Sequence, residues 1–203
     1  MKLINAQQKL LELNQPVLET RDVAACLKVT TTHASHILIR LANAKIFLKL
    51  CKGKWATTKK LDPFILPEYL TAPFPSYISL QSALYYHGMI SQIPAVVYAV
   101  SLARTRKYKT PLGTISVHHL NPDFFFGFDV IPKTQIKIAT PEKALLDIFY
   151  LFPTRSLLFR ALPEIELPKN FNTRKILEWI KKISSKQRST IVKKQLTEIL
   201  RRN

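Results

Sequence analysis

Cysteine and acid are what this sequence is short of. Two cysteines in 203 residues, Cys26 and Cys51, make no disulfide framework, and neither has the CxxC partner of a zinc or redox centre. Both are expected as reduced, partly buried thiols of a cytoplasmic protein. Thirteen acidic side chains face 31 basic ones, a net charge of +18. A field of that sign favours polyanions or an anionic membrane surface over neutral or cationic partners. There is no uninterrupted run of about 18 apolar residues, so no membrane-spanning helix is expected. The opening MKLINAQQKLLELNQ is too polar for a signal peptide. Repeats and low-complexity tracts are missing too, and the length suits two small domains.

The positive charge sits at the two ends. Residues 1–60 carry eleven basic and three acidic side chains, net +8. Residues 61–150 carry seven and six, and residues 151–203 thirteen and four. The ends are therefore the candidates for contact with a polyanion.

The first end has a readable order. Residues 3–13 fit a helix with Leu3, Ile4, Leu10 and Leu11 on one side, broken by Pro16. Residues 20–27 fit a second, with Thr20 as cap, Asp22 at the positive end of its dipole, and Val23, Ala24 and Leu27 inward. After KVTT a third helix runs to about Asn43, followed by IFLKL–CKG–KWATT, a β-hairpin turning at Gly53. Helix, helix, tight turn, helix and hairpin is the layout of a winged helix-turn-helix.

The third helix holds His33 and His36, and three readings of them compete. A metal site would need two more ligands; no nearby Asp, Glu, His or Cys is plainly placed for it, and Cys26 and Cys51 would serve only if the fold brought them in. A catalytic base would need a nucleophile and an orienting acid, and neither is suggested. The third reading is a recognition helix in a DNA major groove. At about 100° per residue, Ala34, Leu38 and Leu41 share the inner face with Ile37 at its edge, while Thr32, His36, Ile39 and Asn43 lie opposite. Arg40 and His33 take one flank and Ser35 the other. Thr31, Thr32 and Ser35 suit phosphates or base edges, and His36 and Arg40 suit guanine O6 and N7. Lys49, Lys52 and Lys54 in the short hairpin suit phosphate contact. The plain alternative is an exposed helix face with no partner. One such helix offers few base contacts, so paired half-sites and a dimer on DNA are expected.

Residues 61–78 hold four prolines and are expected to be neither helix nor central strand, but a connector held down by Phe64, Leu66, Tyr69 and Phe74. Then come a helix over 79–87, capped by Ser79 and closed by Gly88, and β-prone runs at 95–102, 114–120 and 135–139. TPEKALLDIFYLF opens another helix, with Thr140 as cap, Pro141 at its first position and an inner stripe of Leu145, Ile148, Phe149 and Phe152. Two basic amphipathic helices close the chain, over 173–183 and 188–202.

SLQSALYYHGMISQIP, VYAVSLARTRKYKTPLGTISVHHL, FFFGFDVI and IKIATPEKALLDIFYL, in this order and spacing and behind a winged helix, resemble the AbiEi family of antitoxin-regulators from bacterial abortive-infection systems. The resemblance covers most of residues 10–152; the last fifty residues are similar only as basic helices. It implies repression of the chain's own operon through inverted repeats bound by the N-terminal domain. It also implies that the C-terminal domain counteracts a nucleotidyltransferase-like toxin, with no need of a stable complex.

None of these blocks requires chemistry. In SALYYHG, Ala83 and Leu84 would pack inward and His87 would bond carbonyls at the helix end. Glu142, Lys143 and Asp147 look like a nuclease triad but lack its separated Asp and its Glu-x-Lys strand. His118 and His119 are adjacent in a β-run and face opposite sides. Arg104, Arg106, Lys107 and Lys109 form either a solvated hairpin tip or a further contact with nucleic acid or a partner. The basic C-terminal helices either dock an apolar stripe on the middle domain with lysines in solvent, add phosphate contacts, or touch an acidic or RNA-bound partner. A membrane-surface role fits less, since Trp179 is their only large aromatic.

The expectation is an α+β chain. Residues 1–60 form a winged helix-turn-helix, 61–78 the connector, and 79–203 a mixed α+β domain with a small sheet and basic C-terminal helices. It is expected to be a repressor and antitoxin, not an enzyme, with no cofactor and no metal. Its expected partners are double-stranded DNA bearing an inverted-repeat operator, and the toxin; no membrane is involved. The rivals are a stand-alone regulator and a nucleic-acid-processing enzyme built on the middle domain.

Overall fold

The computed structural model describes residues 2–151 and 164–201. The N-terminal part runs α1 (Leu3–Glu12), β1 (Val17–Glu19), α2 (Thr20–Leu27), α3 (Thr31–Asn43), β2 (Leu48–Cys51) and β3 (Lys54–Ala56). Helix α1 packs differently from expectation. Ala6 and Leu10 are buried, whereas Ile4 and Leu11 are 61% and 46% exposed. The small Ala6 side chain lets the helix approach closely on that line instead of on the Leu-rich one. Strand β1 was not foreseen. It completes a three-stranded antiparallel sheet in the order β1-β3-β2.

Strand alternation gives this small sheet two buried faces. Leu18 and Trp55, paired across β1 and β3, face the three helices together with Leu38, Leu41 and Phe47. Their neighbours Val17 and Ala56, also paired, face the other way, with Leu50. There they meet Leu66 and Leu70 and, from the second sheet, Ile115 and Val117. A continuous apolar layer thus joins the first sixty residues to the middle of the chain.

The expected connector is not one. Residues Leu66–Thr71 form helix α4, preceded by a 3-10 turn over Pro63–Ile65. Pro63 and Pro67 sit in the first positions of these turns, where an amide donor has no partner to lose. Ser76–Ile78, just after Pro75, is β4, an interior strand of the large sheet. Leu66 is buried as expected, but Phe74 is half exposed. Glu68 binds the segment together: it accepts from Ser76 N at 3.1 Å and pairs with Lys137 Nζ at 2.7 Å.

The second sheet has six strands in the order β6-β7-β5-β4-β9-β8. It is larger than expected. Its further strands are β5 (Val97–Ser101), β6 (Arg106–Thr110), β7 (Gly113–His119), β8 (Phe128–Val130) and β9 (Lys137–Ala139). The pairs β4–β9 and β5–β7 are parallel and the rest antiparallel. Helices α5 (Leu80–Tyr86) and α6 (Pro141–Leu151) pack together in its core. The basic α7 (Thr173–Ile180) and α8 (Lys186–Leu200) lie against α6.

Helix α6 has no solvent side. Residues 142–149 and Leu151 are all buried, because α7 and α8 cover the side that a single stripe would leave open. Phe152, assigned to that stripe, and Arg202 lie outside the described residues. Of the readings for the basic tail, docking is the one seen: Ile176, Ile180, Ile183, Val192 and Leu196 enter the main core while Lys181, Lys182, Lys193, Lys194 and Arg201 are exposed. Among the described residues no helix is long and apolar enough to cross a membrane.

Candidate nucleic-acid interface

Helix α3 starts where a cap dictates. Thr30 Oγ1 accepts from His33 N at 3.2 Å, which satisfies one of the donors that a helix start leaves orphaned. The turn before it is tight because Lys28 adopts the left-handed conformation (φ 53°), letting Val29 N reach back to Ala24 O at 3.0 Å. Ala34, Ile37, Leu38 and Leu41 are buried, so the inner face is the expected one. On the outside Thr31, Thr32, His33, His36, Arg40 and Asn43 are exposed, Ser35 is half-buried, and Ile39 is 41% exposed. Neither the proline-rich segment nor the described part of the tail covers this side.

The hairpin is held to α2. Gly53 O accepts from Thr20 N at 2.9 Å and from Thr20 Oγ1 at 3.4 Å, while Trp55 Nε1 donates to the same hydroxyl at 3.0 Å. Thr20 is therefore the anchor of the turn and not the cap of α2; the cap position belongs to Glu19, whose side chain makes no capping bond. Gly53 takes φ 77°, a region other residues adopt at a cost.

The three hairpin lysines are not equivalent. Lys52 is exposed at the turn. Lys49 is exposed, with Nζ 5.5 Å from the Trp55 ring centroid. Lys54 is committed elsewhere: Nζ donates to Glu19 Oε1 at 2.6 Å and the side chain is only 15% exposed. That leaves it less available for a phosphate than Lys49 and Lys52. The cause is β1, whose register sets Glu19 opposite Lys54. Three residues, VLE, are too few to show strand alternation in the sequence.

The cluster Arg104, Arg106, Lys107 and Lys109 is not simply a hairpin tip. Residues 106–110 are β6, an edge strand, with all four basic side chains exposed. Strands β2 and β6 come within 8 Å between Cα atoms.

Glu142, Lys143 and Asp147 are buried, at 5%, 0% and 0% exposure. Lys143 Nζ pairs with Asp147 Oδ1, and Asp147 Oδ2 accepts from Tyr77 OH at 3.0 Å and Ser79 Oγ at 2.7 Å. Ser79, expected to cap α5, uses its hydroxyl here. The ammonium lies 4.2 Å from the Phe124 ring centroid, 4.9 Å from Phe126 and 5.7 Å from Tyr77. Loss of solvation pushes the Asp147 carboxyl up from its ordinary range and the Lys143 ammonium down. Glu142 is engaged separately: Oε1 accepts from Asn172 N at 2.9 Å, and Asn172 caps α7. Lys143 and Asp147 thus meet each other, while Glu142 is turned to Asn172. They bind α6 to β4 and to α7, and the partners Tyr77 and Ser79 carried no signal in the sequence.

Gly127 explains the FFFGF block. Its φ is +74°, and an added Cβ would meet Lys143 Cγ and Trp179 Cη2 at 3.1 Å. His87 Nε2 donates to Ala139 O of β9 at 2.7 Å, not to the end of its own helix. His118 is half-buried, within 3.1 Å of Ser116 Oγ, and His119 is exposed, consistent with opposite faces. Burial pushes the His118 pKa down. Both cysteines are free and half-buried. No cluster of three or more His, Cys, Asp or Glu able to hold a metal ion occurs among the described residues. No protein-family model matches this chain, and no curated protein matches it.

Proposed function

We propose that residues 1–60 form a winged helix-turn-helix that binds double-stranded DNA, and that the chain is an AbiEi-type repressor and antitoxin acting in the cytoplasm. One observation carries the DNA reading: the outward side of α3 is uncovered, and strand β2 of the lysine-bearing hairpin contacts the same helix. The side chains there suit a major groove. Arg40 and His36 donate to guanine acceptors, Ile39 packs on a thymine methyl, and Thr31, Thr32, His33 and Ser35 hold phosphates or base edges. Lys49 and Lys52 hold the flanking backbone. Few base contacts per helix favour two copies on an inverted repeat.

The antitoxin role rests on the resemblance of the SALYYHG, FFFGF and ATPEKALLD blocks. These blocks build the core that holds α7 and α8, whose basic outer sides are left to a partner.

The test is equilibrium binding to the DNA upstream of the chain's own gene and to a random duplex. Replacing Arg40 and His36 with Ala is expected to weaken upstream binding by about 5- to 160-fold per lost base contact, from about 1–3 kcal/mol each. Random-duplex binding changes much less. Equal losses on both would reassign the two residues to phosphate, and a wild-type protein with no preference for its upstream DNA would end the repressor reading.

A further inference from the structure

We infer that Arg106, although part of the large sheet, extends the DNA grip of the hairpin, while its neighbours Lys107 and Lys109 take no part in it. The inference rests on the DNA reading proposed above and adds a phosphate contact from outside the first sixty residues.

Register divides the basic cluster in two. In the antiparallel β6–β7 pair, Arg106 is opposite Val117 and Tyr108 opposite Ile115. Residues directly opposite share a face. Val117 and Ile115 are buried in the layer under the small sheet, so Arg106 and Tyr108 lie on the side where the hairpin docks. Tyr108 OH donates to Leu70 O at 3.1 Å, on that same side. Lys107 and Lys109 are opposite Ser116 and Thr114, outside that layer, and alternation turns them to the other face.

Arg106 also lies at the right end of the hairpin. Its guanidinium carbon stands 5.0 Å from the Tyr108 ring centroid, which braces the exposed side chain. Strands β2 and β6 come within 8 Å between Cα atoms, and Cys51 and Tyr108 pack into the same apolar layer; there burial pushes the Cys51 thiol up, and the charges of Lys54 and Arg106 oppose it. Cys51 is the last residue of β2, directly before Lys52 at the turn. Arg106 therefore stands on the β6 face that meets β2, the strand that leads directly into Lys52, the hairpin residue best placed for a phosphate. Braced, planar and always charged, arginine suits that contact.

The test measures binding of the full chain to a random-sequence duplex at several salt concentrations, for wild type, Arg106→Gln, Arg106→Lys, Lys107→Gln and Lys52→Gln. Each lost phosphate contact lowers the slope of log K against log salt by about 0.9, so affinity falls about 3.5-fold less between 50 and 200 mM salt. Arg106→Gln and Lys52→Gln are each expected to show that drop, and Arg106→Lys and Lys107→Gln to keep the wild-type slope. Thermal melting of each variant checks that it folds. A normal slope for Arg106→Gln beside a reduced one for Lys52→Gln overturns the inference and leaves the DNA reading standing. Equal drops for Lys107→Gln and Arg106→Gln overturn the division between faces. A wild-type chain that fails to bind the duplex at low salt overturns the DNA reading itself.

Discussion

Removing one half of the Lys143–Asp147 pair should be among the costliest single changes this chain can undergo. Both side chains are fully buried, and Asp147 also accepts from Tyr77 and Ser79. In Asp147→Leu the ammonium stays boxed by Phe124, Phe126 and Tyr77 with no counter-ion, and two hydroxyls lose their acceptor. Breaking a buried pair from one side costs about 3–5 kcal/mol. Stability as a whole is roughly 5–15 kcal/mol. At about 2–4 °C per kcal/mol for a chain of this size, melting should fall by about 6–20 °C. Lys143→Met should cost less, because the thioether suits the aromatic box and the stranded carboxyl can take up a proton. That proton makes the Lys143→Met deficit pH-dependent. Its folded carboxyl pKa is raised, so the folded state is favoured in acid, and the deficit grows as pH rises through the ordinary carboxyl range and above it. Urea denaturation of both variants at about pH 5 and pH 8 measures this. An Asp147→Leu chain within about 1 kcal/mol of wild type would refute the reasoning, since no buried charge would then be uncompensated.

Three other changes probe separate parts. Lys54→Gln is expected to leave the salt dependence of the proposed DNA binding unchanged, because the ammonium is held by Glu19, and to lower stability by about 1 kcal/mol, read by urea denaturation. Gly127→Ala puts a methyl against Lys143 and Trp179 at a left-handed position and should cost about 1–3 kcal/mol in the same assay. His118 binds its proton less tightly when folded than its ordinary 6.5, so it contributes stability above that pH that is lost as acid approaches the folded value. Melting curves of His118→Gln should accordingly be flatter than wild type on acidification below about pH 6.5.

The readable parts of the sequence were those with enough residues to show a period. Thirteen residues of α3, with Ala34, Leu38 and Leu41 at helical spacing, disclosed both the inner face and the outer one. Strands β1 and β4, three residues each, lie just behind Pro16 and Pro75, and no alternation can show in so short a run. Missing β1 concealed the Glu19–Lys54 pair, so Lys54 looked available. Helix α6 misled for the opposite reason. Lys143 and Asp147 are i,i+4 charges that ordinarily mark a solvent side; their mutual pairing, the aromatic box around the ammonium and the Tyr77 and Ser79 hydroxyls on the carboxylate make their burial tolerable.

The layer beneath the small sheet has a practical consequence. A fragment ending near residue 60 would strip the cover from Val17, Leu50 and Ala56 and present a sticky patch to water. The proposed DNA-reading head of this chain is therefore not a detachable cassette. Any event that shifts α4 or β7 is felt at the hairpin through side chains in direct contact, with no swivel in between to absorb it.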